Sequence, residues 1–323
     1  MKAIVQDRYG SADVLEFADI DPPVPADDEV LVRVHAAGLD PGVWHLMTGL
    51  PYLMRIAGYG LRKPTTHVRG RDVAGSVEAV GRHVTQFQPG DLVFGICEGS
   101  FAEYACVREG KLALRPANLT HIQAAAVPIS ALTALHGLRD KGQLQPGQHV
   151  LIIGASGGVG TFAVQLAKAY GAIVTGVCST TKMELVRSIG ADDVIDYLYE
   201  DFATGRRDYD LILDTAGNRP LSQLRRVLTA RGTLVIIGGE AGGRLLGGMD
   251  RLLGALMLSP FVGQKLCGLV PAERSEDLEV LRDFIEAGKV TPVIDRTYTL
   301  SQTPEAMDYA RQGHARGKVV ITV

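Results

Sequence analysis

Residues 150–170 read VLIIGASGGVGTFAVQLAKAY. An apolar run at 150–153 meets a glycine cluster and passes directly into a segment of helical periodicity. Val159, Phe162, Ala163, Leu166 and Ala167 fall at i, i+3, i+4, i+7 and i+8, the pattern of one buried helix face. Strand, glycine turn and helix form the context in which a phosphate-binding fingerprint carries meaning. The spacing here is Ala155-x-Gly157-x-x-Gly160, with Ser156, Gly158 and Val159 between. Small residues let the backbone turn tightly and approach a pyrophosphate, and the free N–H groups of the new helix favour an anion.

The following strand, at 173–178, should end beside the adenosine ribose of a bound dinucleotide. A site for NAD carries Asp or Glu there, to hold the 2′-hydroxyl. This chain instead has Cys178-Ser179-Thr180-Thr181-Lys182, with hydroxyls and a cation but no acid. That composition favours a 2′-phosphate and therefore NADPH. Further strand-like runs at 194–196, 211–214 and 234–238, separated by helical stretches, read as alternating β and α units around a parallel sheet.

Outside this unit the texture changes. Residues 1–115 hold short apolar runs at 30–34, 73–80 and 91–94, separated by Pro and Gly turns. Residues 119–141 are rich in Ala and Leu and suit a helical connection between two domains. Helices are expected at 275–287 and 304–312, and a closing strand at 318–323. Residues 242–248 are Gly-rich and are expected to form a loop or helix entry. The apolar stretch 252–264 is too short for the roughly 20 residues of a membrane span. It is expected to be a packed helix or to line a cleft.

With 323 residues, two domains are the natural expectation. A net charge of −3 leaves no electrostatic footprint for nucleic acid or an anionic membrane. Cys97, Cys106, Cys178 and Cys267 are widely spaced and read as reduced residues of a cytoplasmic protein. The first residues, MKAIVQDRYG, lack the apolar core of a signal peptide.

With these features placed, the chain resembles the medium-chain dehydrogenase/reductase superfamily, in its zinc-free quinone oxidoreductase branch. The carriers are MKAIVQDRYGSADVLEF, LVRVHAAGLDPGVWHLMTG, GRDVAGSVEAVG, QPGDLVFG, AAAVPISALTA, VLIIGASGGVG, LILDTAGN and GHARGKVVITV, which together span the chain. The resemblance implies an α/β protein of two parts. A GroES-like β-rich catalytic domain would be formed by residues 1–120 and 272–323, and a Rossmann NADPH-binding domain by 121–271. Homodimers are the common state in this branch.

The resemblance also locates the metal question. Zinc-dependent members carry an early ligand Cys and a Gly-His-Glu motif. At the matching places this chain has Gly38-Leu39-Asp40 and Gly70-Arg71-Asp72, so no metal is expected. Without a Lewis acid, hydride transfer stays feasible to an acceptor that is already electron-poor, such as a quinone or an α,β-unsaturated carbonyl. An enone would need a positioned proton donor. Tyr52, or alternatively Tyr59, is implied to face substrate; either ring could instead serve only as packing. Leu46, Met47, Leu50, Leu53, Met54 and Ile56 make their segment apolar, which suits a small hydrophobic acceptor. Asp40 stands where the family usually has Asn, and an ionised carboxylate accepts hydrogen bonds but donates none.

For the cofactor, the resemblance places Thr133 near the nicotinamide ribose and residues 155–160 at the pyrophosphate. Ser179 and Lys182 fall at the 2′-phosphate, with Tyr197 closing over it. Gly217, Ile237 and Gly238 lie at the carboxyl edge of the sheet, where Asp214 either caps a helix or touches ribose. Lys318 either reaches the cofactor or is a solvated edge lysine. The functional expectation is therefore a zinc-independent, NADPH-dependent reductase of quinones or activated enones. Its alternatives are an NADPH-binding redox sensor and, with less support, an alcohol dehydrogenase.

Overall fold

The computed structural model describes residues 1–204, 209–238, 243 and 245–323, without the side chain of Ala57. Residues 242 and 244 of the expected Gly-rich loop lie outside the described residues; residues 245–248 turn into a helix, Met249–Leu258. The chain divides into two compact units. One comprises Met1–Leu132, Glu273–Gly288 and Pro292–Val323; the other comprises Thr133–Ala272 and Lys289–Thr291.

The strands of the first unit are β1 (Lys2–Val5), β2 (Glu16–Asp19), β3 (Glu29–Leu39), β4 (Asp72–Val80), β5 (Leu92–Ile96), β6 (Tyr104–Arg108) and β7 (Leu112–Leu114). The second unit contributes β8 (His149–Ile153), β9 (Ile173–Cys178), β10 (Asp193–Asp196), β11 (Tyr209–Asp214), β12 (Leu228–Ile236) and β13 (Lys265–Gly268). The chain then closes the first unit with β14 (Ile294–Thr299) and β15 (Lys318–Thr322).

The first unit is built on a seven-stranded sheet in the order β14-β15-β3-β4-β5-β7, with β6 also paired to β3. Strand β3 runs through its centre, so Val30, Val32 and Val34 alternate inward and join Val73, Val77, Val93 and Val107 in one core. The other face of the same strand feeds a second core with Ile4, Met47, Phe101, Val319 and Ile321. The C-terminal strand β15 pairs antiparallel with β3, Val319 opposite Leu39, which joins both chain ends in one unit. A buried ion pair ties them further: Lys318 Nζ lies 3.0 Å from Asp72 Oδ2, and both side chains are almost wholly buried. Asp72 Oδ1 also accepts from the Ile129 N–H at 2.9 Å. Lys318 is thus not a solvated edge lysine.

The segment 121–132 belongs to the first unit, although it was expected to open the second. The reason is local. The Ile129 bond to Asp72 holds it, and the carbonyl of Ala125 packs so closely on Gly38 that a Cβ there would lie 2.3 Å away.

The second unit is a six-stranded, wholly parallel sheet in the order β10-β9-β8-β11-β12-β13. From β8 the chain builds outward through β9 and β10, then returns to lay β11, β12 and β13 on the other side. The order therefore reverses between β8 and β11, the place where open α/β sheets bind ligands. Central strands are buried on both faces, which explains their continuous apolar runs. The helix Gly158–Ala169 is buried from Gly160 to Ala167, more than the single face expected. Its outer side is covered by the returning segment Lys289–Thr291: Gln165 Nε2 donates to the Thr291 carbonyl at 3.0 Å, and the Thr291 N–H donates to Gln165 Oε1 at 2.8 Å.

The apolar stretch 252–264 packs on one side only: Ala255 lies in the core of the second unit, with Leu258 and Val262 against it. In the helix Met249–Leu258 only Ala255 is buried, while Met257 is 74% and Phe261 85% exposed. These side chains lie beside the sheet's last strand, β13, and are not packed within the chain.

Candidate active site

The glycine turn after β8 has two kinds of glycine. Gly154 has φ +82°, and a Cβ on Gly160 would lie 2.1 Å from the Gly154 carbonyl oxygen and 2.7 Å from Ala155 Cα. Gly160 is therefore required by the seating of helix on strand. Gly157 is different: it is extended (φ −84°, ψ 179°), and a Cβ there would meet only the Gly154 oxygen, at 3.4 Å. The fold does not need a glycine at 157. A ligand approaching the backbone does, and the first N–H groups of the helix, from Gly158, Val159 and Gly160, lack partners within it. Ala155 and Ser156 are buried beneath the turn, with the Ala155 N–H donating to the Val177 carbonyl at 3.1 Å. These residues fit a dinucleotide pyrophosphate.

The adenosine end is built by β9 and β10. Asp196 pairs in register with Cys178, and the Tyr197 N–H donates to the Cys178 carbonyl at 3.1 Å. This brings Tyr197, half exposed, beside Ser179 and the short turn Thr180–Lys182. Lys182 lies near enough to Cys178 to act on its thiol: burial pushes the thiol up, and Asp196 adds to this, to about 11, against the opposing pull of Lys182 and Arg187. No acid follows β9 along the sequence, which is why none was expected here. The sheet brings one in from β10. Asp196 is buried, and its carboxylate accepts from Thr180 Oγ1 and, at 3.0 Å, from the Leu198 N–H. Both oxygens are engaged in building the turn, which also takes up the Thr180 hydroxyl.

On the other side of β8, Asp214 ends β11 opposite Ile153. It is fully buried; Oδ1 accepts from the Gly217 N–H at 3.0 Å, and Oδ2 pairs with Arg251 Nη2 at 2.6 Å. Asp214 thus closes the turn after β11 and has an ion-pair partner; it does not cap the following helix, Leu221–Val227, whose N-cap is Pro220. The Ile237 and Gly238 N–H groups both donate to its carbonyl, at 2.9 and 3.1 Å, so Gly217, Ile237 and Gly238 converge on one strand end. Thr133 is buried at the start of the second unit.

The first unit gathers the remaining candidates. Asp40 is 3% exposed and caps the helix Pro41–Thr48, accepting from the Gly42 N–H at 2.7 Å through Oδ1; Oδ2 has no hydrogen-bond partner among the described residues. Tyr52 and Tyr59 are each 41% exposed. The Arg55 guanidinium lies 4.2 Å from the ring of Tyr9 and 4.8 Å from that of Tyr52, and donates to the carbonyls of Gly49 and Thr48. Tyr9 in turn donates to the Tyr59 and Gly60 carbonyls, at 2.6 and 2.8 Å. Sequence reasoning gave neither anchor a role: Tyr9 counted only as part of MKAIVQDRYGSADVLEF, and Arg55 lies outside the quoted motifs. They leave the phenol of Tyr52 and that of Tyr59 free of structural duty in the described bonds. Of the apolar residues in this segment, Met47 belongs to the core, Ile56 is exposed, and Leu46, Leu50, Leu53 and Met54 are half-buried.

A zinc ion does not fit the residues present. Arg71 is paired with Glu273 and sits within reach of Glu98, and burial of its guanidinium is outweighed by Glu273, Glu98 and Asp40, which hold its pKa up. Among the described residues no group of three or more His, Cys, Asp or Glu is placed to hold a metal.

Two family models match the chain, an alcohol dehydrogenase GroES-like domain over residues 26–117 and a zinc-binding dehydrogenase over 189–321. The mitochondrial NAD(P)H oxidoreductase RTN4IP1 of Bos taurus is 36% identical across the whole chain and 89% of that protein. The chloroplastic NADPH-dependent alkenal/one oxidoreductase of Arabidopsis thaliana is 34% identical over 99% of the chain and 79% of that protein. Among solved structures, the quinone oxidoreductase from Coxiella burnetii superposes with a TM-score of 0.85 at 28% identity, covering 100% of this chain and 99% of that one.

Proposed function

Since the chain belongs to the medium-chain dehydrogenase/reductase superfamily, among its quinone oxidoreductase-like members, we propose that it is a zinc-independent oxidoreductase that uses NADPH to reduce a quinone or an activated enone. The observation that carries this reading is the pairing of Gly157, a glycine the fold itself does not require, with a hydroxyl and lysine edge at Ser179 and Lys182. A relative named for NADPH and for alkenals and enones supports the same choice.

When bound, the dihydronicotinamide supplies the hydride. The chain's own residues do the rest. The turn at 155–160 fixes the pyrophosphate by backbone N–H groups, and Ser179 and Lys182 meet the 2′-phosphate, where a cation and hydroxyls are the complementary groups. The half-buried Leu46, Leu50, Leu53 and Met54 favour an apolar acceptor and exclude water. Tyr52, held under Arg55, is the proton donor we favour for an enone. Tyr59 is the alternative. Asp40 presents an acceptor to a hydroxyl and is unsuited, when ionised, to polarise a carbonyl.

Arg71 and Asp40 support zinc independence, because a metal would have to displace a guanidinium from an ion pair. The exposed side chains Met257, Phe261 and Val270, flanking the edge strand β13, support a homodimer across that edge. We place the protein in the cytoplasm, on its separated free cysteines; no helix among the described residues is long and apolar enough to cross a membrane. The test is NADPH consumption by chelator-treated protein with ortho-quinones, para-quinones and enones, with NADH as control. Turnover that survives chelation and prefers NADPH is the expected result. Tight binding without turnover on any acceptor would favour a redox sensor, and zinc-restored turnover would favour an alcohol dehydrogenase.

A further inference from the structure

Arg251 has more hydrogen-bonding capacity than its partner uses. Its Nη2 pairs with Asp214 Oδ2 at 2.6 Å, and the other oxygen of that carboxylate is already taken by the Gly217 N–H. Nε and Nη1 of Arg251 are buried and have no hydrogen-bond partner among the described residues. Buried polar groups are rarely left in this state, and charged ones least of all. A lysine would neutralise Asp214 equally well with one donor group directed at it. The guanidinium brings additional, fixed donors to the same place.

That place is specific. Asp214 ends β11, in register with Ile153, the residue before the glycine turn. It therefore lies at the reversal of strand order between β8 and β11. The adenosine edge, Ser179 to Lys182 and Tyr197, lies on the β9 and β10 side of the turn. A dinucleotide anchored by its pyrophosphate at the turn must extend its other half over the ends of β11 and β12. Oxygen atoms of the ribose or carboxamide in that half are the acceptors that the spare donors of Arg251 require.

We propose that Arg251, held by Asp214, is a binding residue for the nicotinamide half of the cofactor. This rests on the reading of the site as a nicotinamide dinucleotide site. Arg251 makes no contact with the 2′-phosphate, so it does not choose between NADPH and NADH.

The test compares three ligands by titration: NADPH, NADH, and 2′,5′-ADP, which contains only the adenosine half. Arg251→Lys keeps the ion pair with Asp214 and removes the spare donors, and its thermal midpoint checks that the fold survives. Should it not survive, the double variant Arg251→Met with Asp214→Asn removes the charge from both sides and is titrated instead. Expected is a loss of about tenfold or more for NADPH and NADH alike, with 2′,5′-ADP affinity unchanged. Unchanged NADPH affinity would overturn the assignment and leave Arg251 a structural partner of Asp214. An equal loss for 2′,5′-ADP would overturn it too, since the effect would then be on the whole site. Wild-type protein that binds none of the three would refute the cofactor reading itself, a result distinguishable from both.

Discussion

Two glycines three residues apart should respond to the same substitution in opposite ways. In Gly160→Ala the new methyl would stand 2.1 Å from the Gly154 carbonyl oxygen and 2.7 Å from Ala155 Cα, well short of an ordinary 3.4 Å contact. The obstacles are backbone atoms, so the helix must move off the strand. Overpacking of this kind costs about 3 kcal/mol, the upper part of the usual range. At roughly 2–4 °C per kcal/mol for a domain of this size, the melting midpoint should fall by roughly 6–12 °C. In Gly157→Ala the methyl meets only the Gly154 oxygen at 3.4 Å, on extended backbone open to any residue. Loss of unfolded-state entropy should then stabilise the protein by about 0.4–1 kcal/mol. The same methyl would stand in the path of the pyrophosphate and weaken NADPH by at least about tenfold. Thermal melts without nucleotide, paired with fluorescence titration of NADPH, measure both. The reasoning is refuted if Gly157→Ala keeps wild-type affinity, or if it loses as much stability as Gly160→Ala.

Other outcomes follow from single residues. Lys182→Ala should raise the dissociation constant for NADPH by about tenfold or more, a lost charge-assisted contact, and leave NADH nearly untouched; an unchanged preference would remove Lys182 from the selector role. Tyr52→Phe should lower turnover on enones more than on quinones, and equal retention of both would transfer the acid role to Tyr59 or to water. His121, whose ring packs 4.5 Å from that of His35, has its pKa lowered from 6.5 to about 4 by burial, then by His35 and Arg115. A depressed folded value means stability that is present above pH 6.5 and lost as the pH falls towards 4. Discounted for a half-exposed ring, the loss is about 1–2 kcal/mol, and acid melts of His121→Gln should be flatter in that window. Glu273 behaves similarly at lower pH. Burial pushes its carboxyl up, but Lys111 and Arg71 outweigh this and hold it below the usual range. Its stabilising effect is present at neutral pH and fades below about 4, and Glu273→Gln should abolish that part of the acid transition.

Much of the second unit was legible in residues 150–170, because a glycine turn between strand and helix has few structural meanings. The closing strand was legible too, and β15 does return to the first unit. What escaped was every feature that depends on a partner far away in the chain. The helix Gly158–Ala169 reads as one-sided, but Thr291 returns to cover Gln165, a pairing no local periodicity reveals. Lys318 reads as a cofactor contact or a solvated edge lysine, and its burial against Asp72 shows only when β15 is laid beside β3. Asp196 escaped because strand order, not sequence proximity, carries it to Thr180. Residues 252–264 read as a packed helix or a cleft lining, yet only one side packs, and Leu253, Leu256, Met257 and Phe261 stay exposed. Arg251 lay one residue outside that apolar run, and only Asp214 gives it meaning.

The most direct test of the central claim follows the hydride itself. NADPH deuterated at one or the other face of nicotinamide C4 is offered, with an enone, to chelator-treated protein, and the product is analysed by mass spectrometry. The account predicts deuterium on the product carbon from one stereoisomer only, with a primary isotope effect on turnover. Consumption of NADPH with no deuterium in the product from either isomer would contradict direct transfer between cofactor and acceptor.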